Sequence, residues 1–506
     1  MIKKIAPMPK TIQTRRVFKA AALSLLLGLS VAATAEENRS VQSSAVDKEA
    51  PIHALETLSS IKNAKPLSVT VPKIEEFTTK SGIKVLLVQT PTLPIVDVAL
   101  RFNAGSARDG EIRPTGFGIA GMTAAMLTQG TKTLTEDDFT KAAETLGINL
   151  SSTAYQDMFI VSLRSLSDDE HLLPAADLMS QMLTEPTFDS TILERNKSRQ
   201  LVGLKQQKQD PAYLAAIAFS EALYGDHPYA HPTVGTLETV PTITKEDLTK
   251  FWQRYLVANN ASMAITGNVT RAQAEALANR ITKDLPKGQA ASTLPEPQPL
   301  TAPKHIHIPF DSSQTTVIMG QLGNKRATDP KAQQEQTNFA VGNDVLAGGD
   351  FNARLMTEVR QNLGYTYGIS GGMSPMLTRG PYQISFSTRN DKARAAIDAS
   401  LKVIDDTLTN GITQSEMQLT KDSLKNSFPM SFSSNASING TLGMMNFYNL
   451  PNDYLANYNR RIDNVTLASV NQSLRSNLNP DKFLIVTIGK DNPWENKTKP
   501  TKKKRR

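Results

Sequence analysis

Six histidines and no cysteine bound the chemistry open to this 506-residue chain. Without cysteine there is no disulfide, no thiolate metal site and no thiol nucleophile. His227 and His231 stand four apart, the spacing that puts two imidazoles on one helical face. Pro228 and Pro232 follow them directly, and proline breaks a helix there, so the pair reads as structural. His305 and His307 share one face of a strand start with no acid close by, and read the same way. Arg360 and Tyr367 stand seven apart. A guanidinium fork and a phenol O–H are both hydrogen-bond donors. Gly364 lets the backbone turn between them. By residue type alone, the pair reads as a surface arginine at a helix end and a tyrosine packed on a sheet. No G-x-S-x-G, phosphate-binding or dinucleotide motif occurs in a strand–turn–helix context.

These side chains need elements to hold them. Periodicity predicts strands over 67–77, 83–89, 95–102, 159–166 and 262–266. It predicts helices over 135–146, 172–184, 189–207, 213–223 and 244–255. The pattern is α+β, strands in one sheet with helices packed over it. Four prolines between 295 and 303 then mark a linker over 286–303, since proline can neither donate to a ladder nor continue a helix. Beyond it the first half recurs. Residues 127–130 match 346–349 at an offset of 219, Leu183-Thr184 match Leu408-Thr409 at 225, and the strand ending at Gly267 matches one ending at Gly489 at 222. Such steady offsets indicate a tandem duplication, with domains over 67–285 and 304–490.

The ends carry the excess charge. Residues 1–35 read as a secretory signal: a basic region, a short apolar core from Ala20 to Ala32, and the small-residue site Ala33-Thr34-Ala35. Arg15-Arg16 also resembles a twin-arginine export signal. Either route leads to the bacterial periplasm or beyond. Residues 36–66 read as a polar arm and 491–506 as a basic disordered tail. Six basic residues of the signal and seven of the tail account for more than the net charge of +8, leaving −5 for the body. A nucleic-acid-binding body is not expected from that balance, nor is a membrane span in the mature chain.

The run Thr115-Gly116-Phe117-Gly118-Ile119-Ala120-Gly121-Met122-Thr123-Ala124-Ala125 resembles the active-site helix of the pitrilysin (insulinase) family of zinc peptidases, where Gly-Leu-Ala leads into H-x-x-E-H. The three positions that would carry both histidines and the general base read Gly121, Ala124 and Ala125. They offer neither lone pairs nor a base. The family's third zinc ligand, a glutamate, falls near 200–204, where no acid stands; Glu194 and Asp210 are the nearest. Asn103-Ala104-Gly105-Ser106 is similar to the family's strand exit, and His227-Pro228-Tyr229-Ala230-His231-Pro232-Thr233-Val234-Gly235 to its H-P-Y loop. Leu346-Ala347-Gly348-Gly349 through Arg354-Leu355 resembles its L-G-G-G-x-x-S-R-L, and Val359 to Tyr367 its L-R-E-K-x-G-L-A-Y.

The resemblance implies two tandem homologous domains, each a mostly antiparallel sheet with helices on one side, together forming half of a clamshell around a peptide. It implies that Arg360 and Tyr367 are the substrate-holding pair, suited to hold a peptide carbonyl and stabilise the oxyanion it becomes, and that Gly348 and Gly349 either allow close approach of a peptide or only end a helix. Some family members divide the work between two chains, one with the zinc motif and one with the Arg/Tyr pair. This sequence resembles the second kind: a non-catalytic subunit with no cofactor of its own, whose partner carries the zinc. The alternative is a stand-alone peptide-binding or scaffold protein that keeps the pair by descent.

Overall fold

Central strands of this chain are long apolar runs, and the edges are polar. β3 (Ile95–Phe102) is buried along nearly its whole length, whereas β4 (Asn149–Ala154), sequence NLSSTA, alternates exposed and half-buried positions. With β1 (Glu75–Thr78), β2 (Lys84–Gln89), β5 (Phe159–Leu166) and β6 (Ala261–Gly267) they form one sheet in the order β1-β2-β6-β3-β5-β4. The second sheet holds β7 (Lys304–Pro309), β8 (Gln314–Leu322), β9 (Thr366–Met373), β10 (Pro381–Arg389) and β11 (Leu484–Gly489), in the order β7-β11-β8-β10-β9. β2 runs parallel to β6 and β7 to β11, and every other neighbouring pair is antiparallel. Without β1 the two orders correspond strand for strand, so the repeated landmarks of the sequence reflect a repeated topology. This computed structural model describes residues 70–495. The signal, the polar arm and residues 496–506 lie outside the described residues.

Each half's sheet carries its own helices on one side. In the first half Val98, Leu100, Phe159 and Val161 meet Leu178, Leu193, Phe251 and Leu277 in one core. In the second, Met319, Ile384 and Ile485 meet Val341, Ile397 and Val470. Threonine caps recur with the repeat. Thr244 and Asp247 form a capping box on the helix Lys245–Tyr255, and Thr466 and Ser469, 222 residues on, do so for Leu467–Asn477. Polar β4 and the helix Arg271–Thr282 are additions to the sequence reading; of the predicted strand over 67–77, residues 67–69 lie outside the described residues and the described part is strand only from Glu75.

The opposite faces are covered crosswise. Phe219 and Leu223 of the first half's helix Pro211–Tyr224 pack on Ile318, Leu484 and Val486 of the second sheet. Ile438, Leu442 and Met445 of the second half's helix Asn435–Phe447 pack on Leu86, Val88 and Ala264 of the first. Two asparagines fix that second contact. Asn439 Nδ2 donates to the carbonyls of Asp97 and Ala264, and Asn446 Nδ2 to those of Lys84 and Met263, at 2.9–3.0 Å. Each half therefore completes the other's core.

The Pro-rich segment is tied down as far as Glu296. Arg108, fully buried, donates to Ser292 O at 2.7 Å, Ala291 N donates to Asn260 Oδ1 at 2.9 Å, and Thr378 Oγ1 donates to Glu296 Oε2 at 2.6 Å. At the other end, residues 491–495, read from sequence as part of the basic tail, fold back. Trp494 stacks on His305 with ring centroids 3.8 Å apart and lies under the Arg394 guanidinium. Aromatic stacking anchors that stretch where charge patterning predicted a solvated tail. Among the described residues no helix is long and apolar enough to cross a membrane.

Candidate functional site

Gly121, Ala124 and Ala125 lie on the helix Ile119–Leu127, whose Met122, Met126 and Leu127 are buried in the first core. Asp109 starts that helix: its Oδ2 accepts from Gly118 N and its Oδ1 from Ala120 N, each at 2.8 Å. Burial pushes the Asp109 carboxyl up to about 8, against these two donors, which favour the anion. Facing Gly121 is the loop of residues 231–235. A Cβ on Gly121 would lie 2.7 Å from Thr233 O. The first ligand position of the ancestral motif is thus filled by another segment's backbone.

That loop is held by three contacts, and a fourth bond braces the Phe117 backbone beside it. Ser106 Oγ and Thr233 Oγ1 are 3.1 Å apart, and Thr239 Oγ1 donates to Phe117 O at 2.8 Å. The His231 ring stacks on Phe117 with centroids 3.4 Å apart. Gln200, at the position expected for the third ligand, donates its Nε2 to Val234 O. Gly118 and Gly235 are required here: both have positive φ, and a Cβ on Gly235 would stand 2.6 Å from Phe117 O. Ala124 is buried, its carbonyl accepting from Ser152 Oγ at 2.6 Å, and Ala125 is exposed. These residues do not fit a zinc ion. Neither Gly121, Ala124 nor Ala125 has a donor atom in its side chain, and Gln200 uses its amide to close the loop.

The histidines are committed elsewhere. His227 Nδ1 accepts from Tyr229 N at 3.1 Å, which leaves the proton on Nε2 to donate to Pro295 O at 2.9 Å. Burial lowers its pKa, and that of His231. His307 Nδ1 bonds to Thr487 Oγ1 at 3.0 Å. Among the described residues no group of three or more potential ligands gathers around one point.

In the second half Gly348 caps the helix Pro330–Ala347, and Gly349 follows at φ +89°, against Ser370 of β9. The chain then enters a π-helical turn, Met356–Asn362, that carries Arg360. Such turns recur at functional sites because the wider winding re-aims side chains. Arg360 Cζ sits 4.5 Å from the centroid of the Phe351 ring, itself 64% exposed. Tyr367 lies on β9 at the sheet edge and is 91% exposed, so it does not pack on the sheet. The ladder shifts register there. Thr366 pairs with Thr388 and Ile369 with Phe386, leaving Tyr367 and Gly368 opposite Ser387 alone, a bulge of the kind that turns a side chain outward. No hydrogen bond joins Arg360 to Tyr367. Among the described residues neither side chain has a hydrogen-bond partner, and Gly348 and Gly349 lie on the chain that leads to them. Arg354 of the same motif is structural: its fork meets Glu416 with two bonds of 2.8 Å. Burial would raise Glu416, but Arg354 and the capping donors of Thr413 bring it down to about 2.

Comparison with known proteins follows this geometry. A family model described as Insulinase (Peptidase family M16) matches residues 84–237, and one described as Peptidase M16 inactive domain matches 242–424. A crystal structure of a peptidase M16 inactive domain from Pseudomonas fluorescens is 37% identical, with a TM-score of 0.78 over 83% of this chain and 98% of that one. This chain belongs to peptidase family M16. Within M16 it is similar to the non-peptidase homolog YmxG of Helicobacter pylori, 25% identical over 81% of this chain and 92% of that protein. The first half of the periplasmic protease PqqL from Escherichia coli shares the fold at 16% identity, with a TM-score of 0.70 over 84% of this chain and 94% of that one.

The protein is thus a non-catalytic M16 member derived from a peptidase. The residues that close its old site, Thr233, Val234 and Gln200, were not singled out by sequence. Their only signal was the pairing of a missing ligand at 200 with glycines at 121 and 235.

Proposed function

We propose that this M16 protein is the substrate-binding subunit of a heteromeric zinc peptidase of the bacterial periplasm, exported by its N-terminal signal and paired with a chain that carries the zinc. Arg360 and Tyr367 would donate to the carbonyl oxygen of a peptide held against the partner's metal centre, stabilising the negative charge that oxygen gains. Hydrolysis itself would belong to the partner. The observation that carries this reading is the exposure of Tyr367, a large aromatic donor left 91% open on a bulged edge strand. A side chain kept only for packing would not stand there. The inactive-domain relatives support the non-catalytic half of the reading.

The test mixes the purified chain with a zinc-bearing M16 chain of the same cell and measures peptide hydrolysis beside complex formation. Arg360→Ala and Tyr367→Phe should each lower turnover by about a hundred- to a thousand-fold with assembly intact. Unchanged turnover in both would leave the stand-alone peptide-binding scaffold as the better account. By itself the chain should carry no stoichiometric zinc.

A further inference from the structure

A cavity of about 400 Å³ opens in the second half between the helix Pro330–Ala347, the end of β9 and the helix Tyr458–Asp463. Its place follows from the duplication. At the 219-residue offset that relates 127–130 to 346–349, the counterparts of Gly121, Ala124 and Ala125 are Ala340, Asn343 and Asp344, and all three line this cavity. The repeated fold therefore offers the same location twice. In the first half Thr233 fills it; in the second it is open.

Its wall holds polar groups that the protein satisfies only in part. Arg461 is only 7% exposed and forms no ion pair among the described residues. It donates to Tyr454 O at 2.8 Å and lies over the Tyr454 ring at 4.3 Å. Arg326 Nε and Asn343 Oδ1 are buried with no hydrogen-bond partner among the described residues, while Arg326 Nη2 donates to Pro375 O at 3.3 Å, its Cζ lies 5.1 Å from the Tyr448 ring centroid, and Asn343 Nδ2 donates to Gly371 O at 2.9 Å. Arg326 likewise lacks an ion-pair partner among the described residues. Burying a guanidinium without a counter-ion is costly, and an orphaned buried polar atom calls for an explanation. Asp344 is the one carboxylate lining the cavity. Burial raises its pKa, as does nearby Asp350, against a hydrogen bond from Thr420 that favours the anion. Phe339, Met373 and Ile462 supply apolar wall.

Two cationic forks, one free acceptor and an apolar wall have a common complement. We propose that this cavity binds the free carboxyl terminus of a short peptide ending in an apolar residue. The carboxylate meets Arg326 and Arg461, the last amide N–H meets Asn343 Oδ1, and the terminal side chain lies against Phe339, Met373 and Ile462. Guanidinium forks match carboxylate geometry, and the volume is that of an ordinary small-ligand site. Such a pocket needs neither zinc nor a partner chain, so it stands or falls apart from Arg360 and Tyr367.

Isothermal titration of the purified mature chain with N-acetylalanyl-leucine and with its carboxamide tests this. The acid should bind, and the amide at least about tenfold more weakly, since a charge-assisted pair is lost. Arg461→Gln should weaken the acid by about the same factor with an unchanged circular dichroism spectrum. Ala340 is exposed at the cavity wall, so Ala340→Trp blocks the cavity without disturbing the core and should abolish binding. That variant decides the matter if Arg461→Gln does not fold. Equal binding of acid and amide, no binding of the acid at millimolar concentration, or full affinity in Ala340→Trp would each overturn the assignment.

Discussion

Two glycine-to-alanine substitutions on neighbouring helices should change stability in opposite directions. In a helix interior, replacing glycine by alanine ordinarily stabilises by about 0.5–1 kcal/mol, because the unfolded chain loses freedom. Gly203, on the helix Ser190–Gln207, has nothing within 4 Å of its would-be Cβ, so Gly203→Ala should gain that amount. Gly121→Ala starts with the same gain, but its methyl would sit 2.7 Å from Thr233 O. The carbonyl cannot retreat freely, because Ser106 and Gln200 hold the loop on either side of it. Overpacking of this kind costs about 1–3 kcal/mol, so the net effect should be a loss of up to about 2 kcal/mol. Thermal unfolding followed by circular dichroism should show Gly203→Ala melting above the parent and Gly121→Ala below it, by a degree or more each way. Two variants that both melt higher would refute the claim that a seated backbone fills the former ligand position. The same packing predicts that Gly121→His with Ala125→His gives a less stable protein rather than a metal site.

Cross-packing should be measurable through its asparagines: Asn439→Ala and Asn446→Ala should each cost about 1–3 kcal/mol in urea unfolding, since each removes a donor shared by two buried carbonyls, and costs near zero would count against them. Limited proteolysis should cut first between Gln298 and Lys304, beyond the bonds that end at Glu296, and the nicked halves should stay together on gel filtration because each sheet keeps a helix of the other; separation of the halves would contradict the interlock. His227 has its pKa lowered by burial, so its neutral form stabilises the fold fully above the unfolded value of about 6.5 and that contribution is lost as pH falls through the lower folded value. His227→Asn keeps an acceptor for Tyr229 N and does not titrate, so the parent should lose stability relative to this variant as pH falls below about 6.5; a difference independent of pH would show that His227 is free to protonate.

Much of the fold was legible in the chain. Ile95–Phe102 and Phe159–Leu166 are strands where alternation and apolar runs predicted them, because a central strand must be apolar to be buried on its sheet. The loss of the zinc site was legible too, since Gly121, Ala124 and Ala125 cannot supply a ligand in any fold. β4 was not, because its one large apolar residue, Leu150, stands among asparagine, serines and threonine and sets up no alternation to announce it.

What periodicity cannot carry is an address. The helix Pro211–Tyr224 shows an apolar face, but hydrophobic attraction is non-directional and does not say whose sheet receives it; only the folded chain sends it to β8 and β11 of the other half. In the same way the residue types at 121, 124, 125 and 200–204 say that a ligand set is gone, whereas the closing of that space depends on where one carbonyl comes to rest. Arg326, Asn343 and Arg461 are far apart in sequence and unremarked within it. They become one wall only when the second sheet, its long helix and the helix Tyr458–Asp463 pack together, because burial and pairing are properties of a place and not of a residue.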